Sequence, residues 1–436
     1  MSTTSAVPEA VPFHETHATR GALRFDSIDG LRGLACLMVL LYHSYDHFGN
    51  IAWPRLMLGS FPLTQAHFFA YGYGGVDLFF VLSGFCLAYP IVSRPERPVD
   101  WKQYAINRVR RIVPPYWAAM LLFGCLSLWI TRHSVQPFAA QHILGWTGTR
   151  QVVYSLLLVS TSFNSSFWTL AVEWRWYFVL PALIWLWRRI GGAGVLLCMI
   201  PVSLVSVFIY MPSHQEHLKF LVGFLPMFMP LFGLGIWAAS LAAGKQGQPW
   251  ERQIARWAVA GVITTLLFVI ATERSAVHPV LRRFVITTLL FVIAFAPLEM
   301  TAFMIKSALL RLITWGPFCF FLVLAATQEG QVRRFVSWHP FVWVGTFSYS
   351  LYLTHEPFLY MAEALILPHH WSLGLVLLCQ IVVLPTVLIG FGYLFFLVAE
   401  KPFLRRPVKR AIEAEQHGLK AGGPAGGVGE GGMRRS

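Results

Sequence analysis

The chain has 436 residues, of which 56% are hydrophobic, 15% aromatic and only 12% charged. A soluble domain carries about a quarter charged residues, so this composition excludes an ordinary soluble protein and points to a polytopic membrane chain. The net charge of +14 falls mostly in short loops between apolar runs, with no basic patch interleaved with exposed aromatics, so nucleic acid is not an expected partner.

Residues 1–24 are polar and mixed in charge, with no apolar core before Leu31. No cleavable signal peptide is expected, and the first apolar segment is retained as a membrane helix. A hydrocarbon core of about 30 Å takes about 20 helical residues. Runs of that order lie near 32–49, 74–93, 113–131, 168–187, 193–210, 219–242, 255–271, 281–304, 308–327, 341–362 and 372–398. Arg94, Arg97, Lys102, Arg108, Arg110 and Arg111 mark one loop as cytoplasmic, and Arg188–Arg189 and Lys245–Arg256 fall on the same side. The N-terminus is then cytoplasmic. Eleven crossings would leave Arg333–Arg334 and the basic tail (Lys401, Arg405, Arg406, Lys409, Arg410) outside. Ten crossings remove both conflicts, so the expected fold is an all-α polytopic bundle of ten spanning helices, with eleven as the alternative. Its parts are a polar cytoplasmic segment 1–24, a transmembrane domain 25–404, and a cytoplasmic tail 405–436, first basic, then Gly-rich and disordered. The six cysteines stand singly in apolar segments and suggest neither a disulfide framework nor a cysteine metal site.

Ionisable residues inside membrane helices are costly and mark function by default. On the first helix Arg32 and His43 are eleven residues apart, about three turns or 16 Å along one face, with Asp29 close to that face. The bland alternative is a snorkelling arginine and a histidine bonded to a neighbouring helix. His43 and His47 share the i,i+4 spacing of a ligand pair, but no third residue with metal spacing follows, so no metal is expected. The second helix opens with Asp77 and contains Ser83-Gly84, a small pair suited to close packing. Arg108, Arg110 and Arg111 precede Pro114-Pro115, where guanidinium groups and a helix N-terminus both favour phosphate; they also serve as plain topology markers. Glu173, about one turn past Trp168, needs a buried partner, for which a histidine or arginine of another helix is the natural choice. Ser348, Tyr352 and His355 lie on one stripe of the penultimate helix.

In this order the motifs resemble the integral-membrane acyltransferase-3 family, which includes bacterial polysaccharide O-acetylases and macrolide acyltransferases. The resemblance rests on Arg32 and His43 at arginine–ten–histidine spacing, GVDLFFVLSGF at 75–85 and Arg108-x-x-Arg111 before Pro114. It continues with FWTLAVEW around Glu173, SYSLYLTHEP at 348–357, and Glu400-Lys401-Pro402, and so spans 24–404. One departure is Arg175, where the family more usually has glutamine.

The resemblance implies an O-acyltransferase that moves an acyl group, usually acetyl, from cytoplasmic acyl-CoA to a hydroxyl of an extracytoplasmic or cell-surface glycan. The implied location is the bacterial inner membrane. A small lipophilic acceptor such as a macrolide is the alternative, and a proton-coupled transporter is the competing class, against which no repeated half with matching interrupted helices is visible. The implied catalytic set is His43, Glu173 and Asp29, with Glu173 orienting His43. Arg32, Arg108, Arg110 and Arg111 are the implied acyl-CoA-binding residues, and Asp77, Trp168, Ser348, Tyr352 and His355 the implied substrate-binding ones. His43 acts either as a base for direct transfer or as a transient acyl carrier. Some relatives pass the acyl group to a fused esterase-like domain; no such domain follows here, so this chain is expected to finish the transfer itself or with a partner.

Overall fold

The computed structural model describes residues 25–48, 55–58, 61–64, 71–132, 149–158, 165–210, 225–244, 249–273, 311, 313–366 and 372–404. Helices dominate these residues, as the apolar runs predict. Helix α1 (Asp26–Phe48) leads into a short antiparallel hairpin, β1 (Arg55–Leu58) and β2 (Phe61–Thr64), in which Arg55 faces Thr64 and Leu58 faces Phe61. The hairpin is an addition to the expected all-α architecture. Then come α2 (Gly74–Val92), α3 (Trp101–Arg132), α4 (Thr149–Leu156) and α5 (Trp168–Tyr210). In α5 the turn at Gly191 (φ 73°, ψ 178°) breaks the helix just after Arg188–Arg189, between the two apolar runs read from sequence. Left-handed φ is inexpensive only for glycine, which explains the residue at the break.

Further on lie α6 (Leu225–Ala243), α7 (Pro249–Arg256), α8 (Ala258–Glu273), α9 (Trp315–Thr327), α10 (Gln331–Val336), α11 (His339–Thr346) and α12 (Ser348–Ile366). The last helical stretch joins α13 (Leu373–Leu378) to α14 (Leu384–Phe395) through a π turn at Cys379–Val383, and a second π turn at Phe396–Glu400 closes it. Such widened turns re-aim side chains and recur at functional sites.

Helix α2 packs against α1, α6 and α9; α6 packs against α5; and α1 lies along α11 and α12, with α12 resting on α14. Two contacts bring backbones together at glycine, the usual device where lipid offers no hydrophobic drive for helix association. A Cβ on Gly84 would strike the Phe232 carbonyl and one on Gly235 the Val81 carbonyl, fixing α2 on α6. Along α1, Gly30 and Gly33 meet the carbonyls of Val336 and Phe341, while Gly345 of α11 meets that of Asp29. Stacked Trp176 and Phe232, with ring centroids 4.3 Å apart, fill the space between α5 and α6.

Four described helical stretches are long and apolar enough to cross a membrane: Tyr71–Val92, Trp168–Val205, Leu225–Ala243 and Gly374–Phe403. The count becomes five if Pro249–Arg256 and Ala258–Val269, bent by 69°, form one span. Helix α1 is not among them; Asp29 and Arg32 lie in its first turns and His43 and Asp46 toward its end. The expected run at 281–304 lies outside the described residues. Phe178, Trp185, Leu197, Leu394 and Val398 are more than 60% exposed on their helices, a surface suited to lipid.

Candidate active site

Helix α1 carries two polar centres, one at each end of the Arg32–His43 interval. Around Arg32 a pocket of about 860 Å³, part of it open, is lined by Arg108, Arg111, Glu173, Tyr177, Ser348 and Tyr352 among others. Arg32 Nη1 donates to Asp29 Oδ1 at 3.2 Å. Arg108 and Arg111, three residues apart on α3, turn the same way into the pocket. The Arg108 guanidinium lies over the rings of Tyr104 and Tyr177, with centroids 5.4 and 5.7 Å away. Burial pushes the Tyr104 phenol above its ordinary value, with Arg108 opposing, so the ring stays neutral. Arg108 Nε and the Tyr104 hydroxyl are buried without a hydrogen-bond partner among the described residues. Buried polar atoms rarely stay unpaired, so two donors beside three guanidinium groups suit an anionic ligand.

Glu173 belongs to this pocket. Ser83 and Tyr177 donate hydroxyl hydrogens to its Oε1 at 3.0 and 2.8 Å. Behind Arg111 lies Glu400, carried by the second π turn, which accepts from Ser350 Oγ at 2.6 Å.

The second centre surrounds His43. Its Nδ1 is 2.6 Å from Glu356 Oε2 and 2.8 Å from His355 Nε2. His355 Nδ1 is 2.8 Å from the Tyr352 carbonyl, which only accepts, so Nδ1 carries the proton and Nε2 the lone pair. His43 Nδ1 thus faces two acceptors and must be the donor. The network assigns His43 the tautomer with its lone pair on Nε2. Glu356 Oε2 also accepts from Ser166 Oγ at 3.0 Å. His47 Nε2 stands 3.6 Å from Glu356 Oε1, and its Nδ1 is 2.7 Å from Glu363 Oε2. The first π turn braces this end of α1: Gln380 Nε2 donates to the Ser44 carbonyl at 2.9 Å, and Ser44 Oγ donates to that of Gln380 at 3.2 Å.

His43, His355 and Glu356 offer the donor types of a metal site and supply the further groups that sequence spacing did not. Their 2.6 and 2.8 Å separations are hydrogen-bond lengths, shorter than the roughly 3.3 Å between neighbouring ligands of a tetrahedral ion. We therefore describe the cluster as hydrogen-bonded.

The structure rearranges the residues predicted from sequence. Arg32, Arg108, Arg111, Ser348 and Tyr352 converge on the pocket, but Arg110 is exposed on the outer side of α3 and does not line it. His355 meets His43 instead. The expected Glu173–His43 pair does not form; Glu356 takes that position. Ser166, just ahead of α5, is level with Glu356, and seven residues further along the helix puts Glu173 about 10 Å away. Asp29, fourteen residues from His43 on the same helix, pairs with Arg32 about 20 Å away and is not part of the histidine centre. Asp77 is fully buried and bound to Arg311 Nη1 at 2.6 Å. Trp168 packs among Phe80 and Phe228, with ring centroids 6.3 and 5.1 Å away.

Sequence reasoning passed over Glu356 and Glu363. Their i,i+7 spacing on α12, matching His43 and His47 at i,i+4 on α1, was the available signal.

Comparison with known proteins adds the following. A family model described as an acyltransferase domain matches residues 25–398. A peptidoglycan O-acetyltransferase, OatA, of Listeria monocytogenes is 23% identical over 352 residues, covering 76% of this chain and 49% of its own length. A protein of Bacillus subtilis described as the putative peptidoglycan O-acetyltransferase YrhL is 22% identical, with 78% and 49% covered. The O-acetyltransferase OatA of Staphylococcus aureus is 22% identical, with 76% and 50% covered. The chain thus spans about half the length of these curated relatives. No solved structure matches it.

Proposed function

The chain belongs to this acyltransferase family, and on that premise we propose that it is a membrane-embedded O-acyltransferase taking its acyl group, acetyl in the first instance, from acyl-CoA. The acceptor in this reading is a hydroxyl of a cell-envelope glycan, in line with the peptidoglycan O-acetyltransferases among its relatives. Arg108, Arg111 and Arg32 hold the donor's phosphates and the head of its pantetheine arm, at the cytoplasmic end of α1. Glu173, held by Ser83 and Tyr177, balances the guanidinium charge in the same pocket. The arm then runs along the Ser348–Tyr352 wall toward His43.

One observation carries the chemistry: a carboxylate at 2.6 Å from His43 Nδ1, which leaves Nε2 as the basic nitrogen. His43 Nε2 takes the acceptor's hydroxyl proton as the oxygen attacks the thioester carbonyl. The C–O bond forms, the C–S bond breaks, and its electron pair leaves on the thiolate of CoA. Glu356 stabilises the imidazolium formed on the way, as a carboxylate does behind any catalytic histidine. The same lone pair also suits the alternative in which Nε2 itself carries the acyl group between two half-reactions.

The test is turnover of acetyl-CoA by purified protein in nanodiscs, followed by thiol release with a crude envelope-glycan extract present. His43→Ala should lower the rate about 10²–10⁴-fold, the usual contribution of a general base, with an unchanged elution profile and thermal transition. Equal thiol release by wild type and His43→Ala would refute the mechanism.

A further inference from the structure

The acyl transfer uses His43 and Glu356 but gives no role to His47 or Glu363, two more ionisable groups on the same faces of α1 and α12. Such groups are costly in a membrane bundle unless paired, and these two are paired in a particular order. From His43 Nδ1 the contacts run to Glu356 Oε2 (2.6 Å), from Glu356 Oε1 to His47 Nε2 (3.6 Å), and from His47 Nδ1 to Glu363 Oε2 (2.7 Å). Side-chain exposure along the outer part of this line is 8% at Glu356, 7% at His47 and 23% at Glu363, so the line ends at its most open member. His43 presents Nδ1 to Glu356, His47 presents one nitrogen to each carboxylate, Glu356 bridges the two imidazoles with its two oxygens, and Glu363 ends the line.

The groups facing His47 are Glu356 and Glu363 from α12, with the Tyr360 ring edge-on at 4.4 Å. His43 precedes it by one turn on its own helix. His355 of α12 is a second imidazole within electrostatic reach of His47, while its two direct contacts are both carboxylates, so along the line the order is acceptor, imidazole, acceptor.

We propose that His47 and Glu363 form the proton outlet of the transfer, carrying the acceptor's hydroxyl proton from the His43–Glu356 pair to the end of α1 opposite the arginine pocket. The proposal rests on the acyltransferase reading given above. Glu356 holds the His43 imidazolium while the ester forms; once the thiolate has left, Nδ1 of His43 releases its proton to Glu356. Glu356 passes a proton to His47 Nε2, and His47 Nδ1 gives its proton to Glu363, from which it enters solvent. The thiolate of CoA takes a separate proton from water at the arginine end, so the sum remains one alcohol and one thioester converted to one ester and one thiol. The relay leaves both His43 and His47 protonated on Nε2, and each returns to the Nδ1–H form by exchanging protons with water before the next turnover. His47 and Glu363 are positioning and proton-transfer residues here, since neither touches the reacting atoms.

The experiment compares wild type, Glu363→Gln, Glu363→Asp and His47→Gln in nanodiscs with radiolabelled acetyl-CoA and the envelope-glycan extract. Glu363→Gln and His47→Gln should lower kcat about tenfold to hundredfold with KM for acetyl-CoA unchanged, and should raise the solvent deuterium isotope effect on kcat. Glu363→Asp, which keeps a carboxylate, should stay within about threefold of wild type. Added formate should restore part of the rate lost in Glu363→Gln. Wild-type kcat in both amide variants would overturn the outlet. So would a loss that neither formate nor the Asp variant relieves and that leaves the isotope effect unmoved, because that marks a structural brace. A folded wild-type protein that transfers no acetyl group would instead overturn the acyltransferase reading, and the outlet with it.

Discussion

At the arginine end of α1, guanidinium groups crowd a pocket in which Arg108 Nε and the Tyr104 hydroxyl have no partner among the described residues. At the histidine end, both acceptors of the His43 proton are in place, and Ser166 and Gln380 hold the surrounding groups. The first centre keeps polar capacity in reserve for a ligand; in the second the histidine and carboxylate contacts are already made, with Gln380 Oε1 as its buried atom without a partner among the described residues. The difference is the one expected between a site that gains its energy by recognising an anion and a site that must hold a base in one tautomer before any substrate arrives. One helix carries both, so in the proposed reading the two tasks are separated along that helix rather than by domain.

That contrast can be broken by mutation, beginning at the histidine end. Glu356→Gln keeps the shape of the side chain but removes the charge that fixes the His43 tautomer. It should lower kcat about a hundredfold with little change in KM for acetyl-CoA, measured by steady-state thiol release. A change confined to KM would mean that the two ends do not divide binding from chemistry. At the arginine end, Arg111→Ala should raise KM about tenfold, the worth of one charge-assisted hydrogen bond, while kcat falls less; isothermal titration with a non-hydrolysable acetyl-CoA analogue checks the binding term directly. Arg110→Ala sharpens the same point by doing little. Its side chain lies on the exposed side of α3, and KM should remain within about twofold of wild type, so a loss equal to that of Arg111 would place the donor elsewhere.

Much of the architecture was legible because membrane helices are written in plain composition. The runs at 74–93, 168–187 and 372–398 became α2, the first part of α5, and α13–α14, and the glycine break after Arg188–Arg189 fell where two runs met. The arginine centre was legible too, since Arg108 and Arg111 share a face by spacing alone. Placing Glu173 was harder. Periodicity gives the angle of a side chain around its own helix but not its level against another, and level is what put Ser166 rather than Glu173 beside Glu356. The hairpin at Arg55–Thr64 was missed because its two four-residue strands sit in a stretch read only as a connection.

Helix α1 is pinned along its first turns by Gly30 against the end of α10 and Gly33 against α11, and at its far end by Ser44 against the π turn. Between those anchors the eleven positions from Arg32 to His43 act as a ruler cut to one length. Inserting or deleting a single residue there would swing His43 by about 100° around the helix axis, away from Glu356, while leaving the arginine pocket where it is. The segment can therefore accept substitutions far more readily than changes of length, and in the proposed mechanism its count of residues is itself a working part.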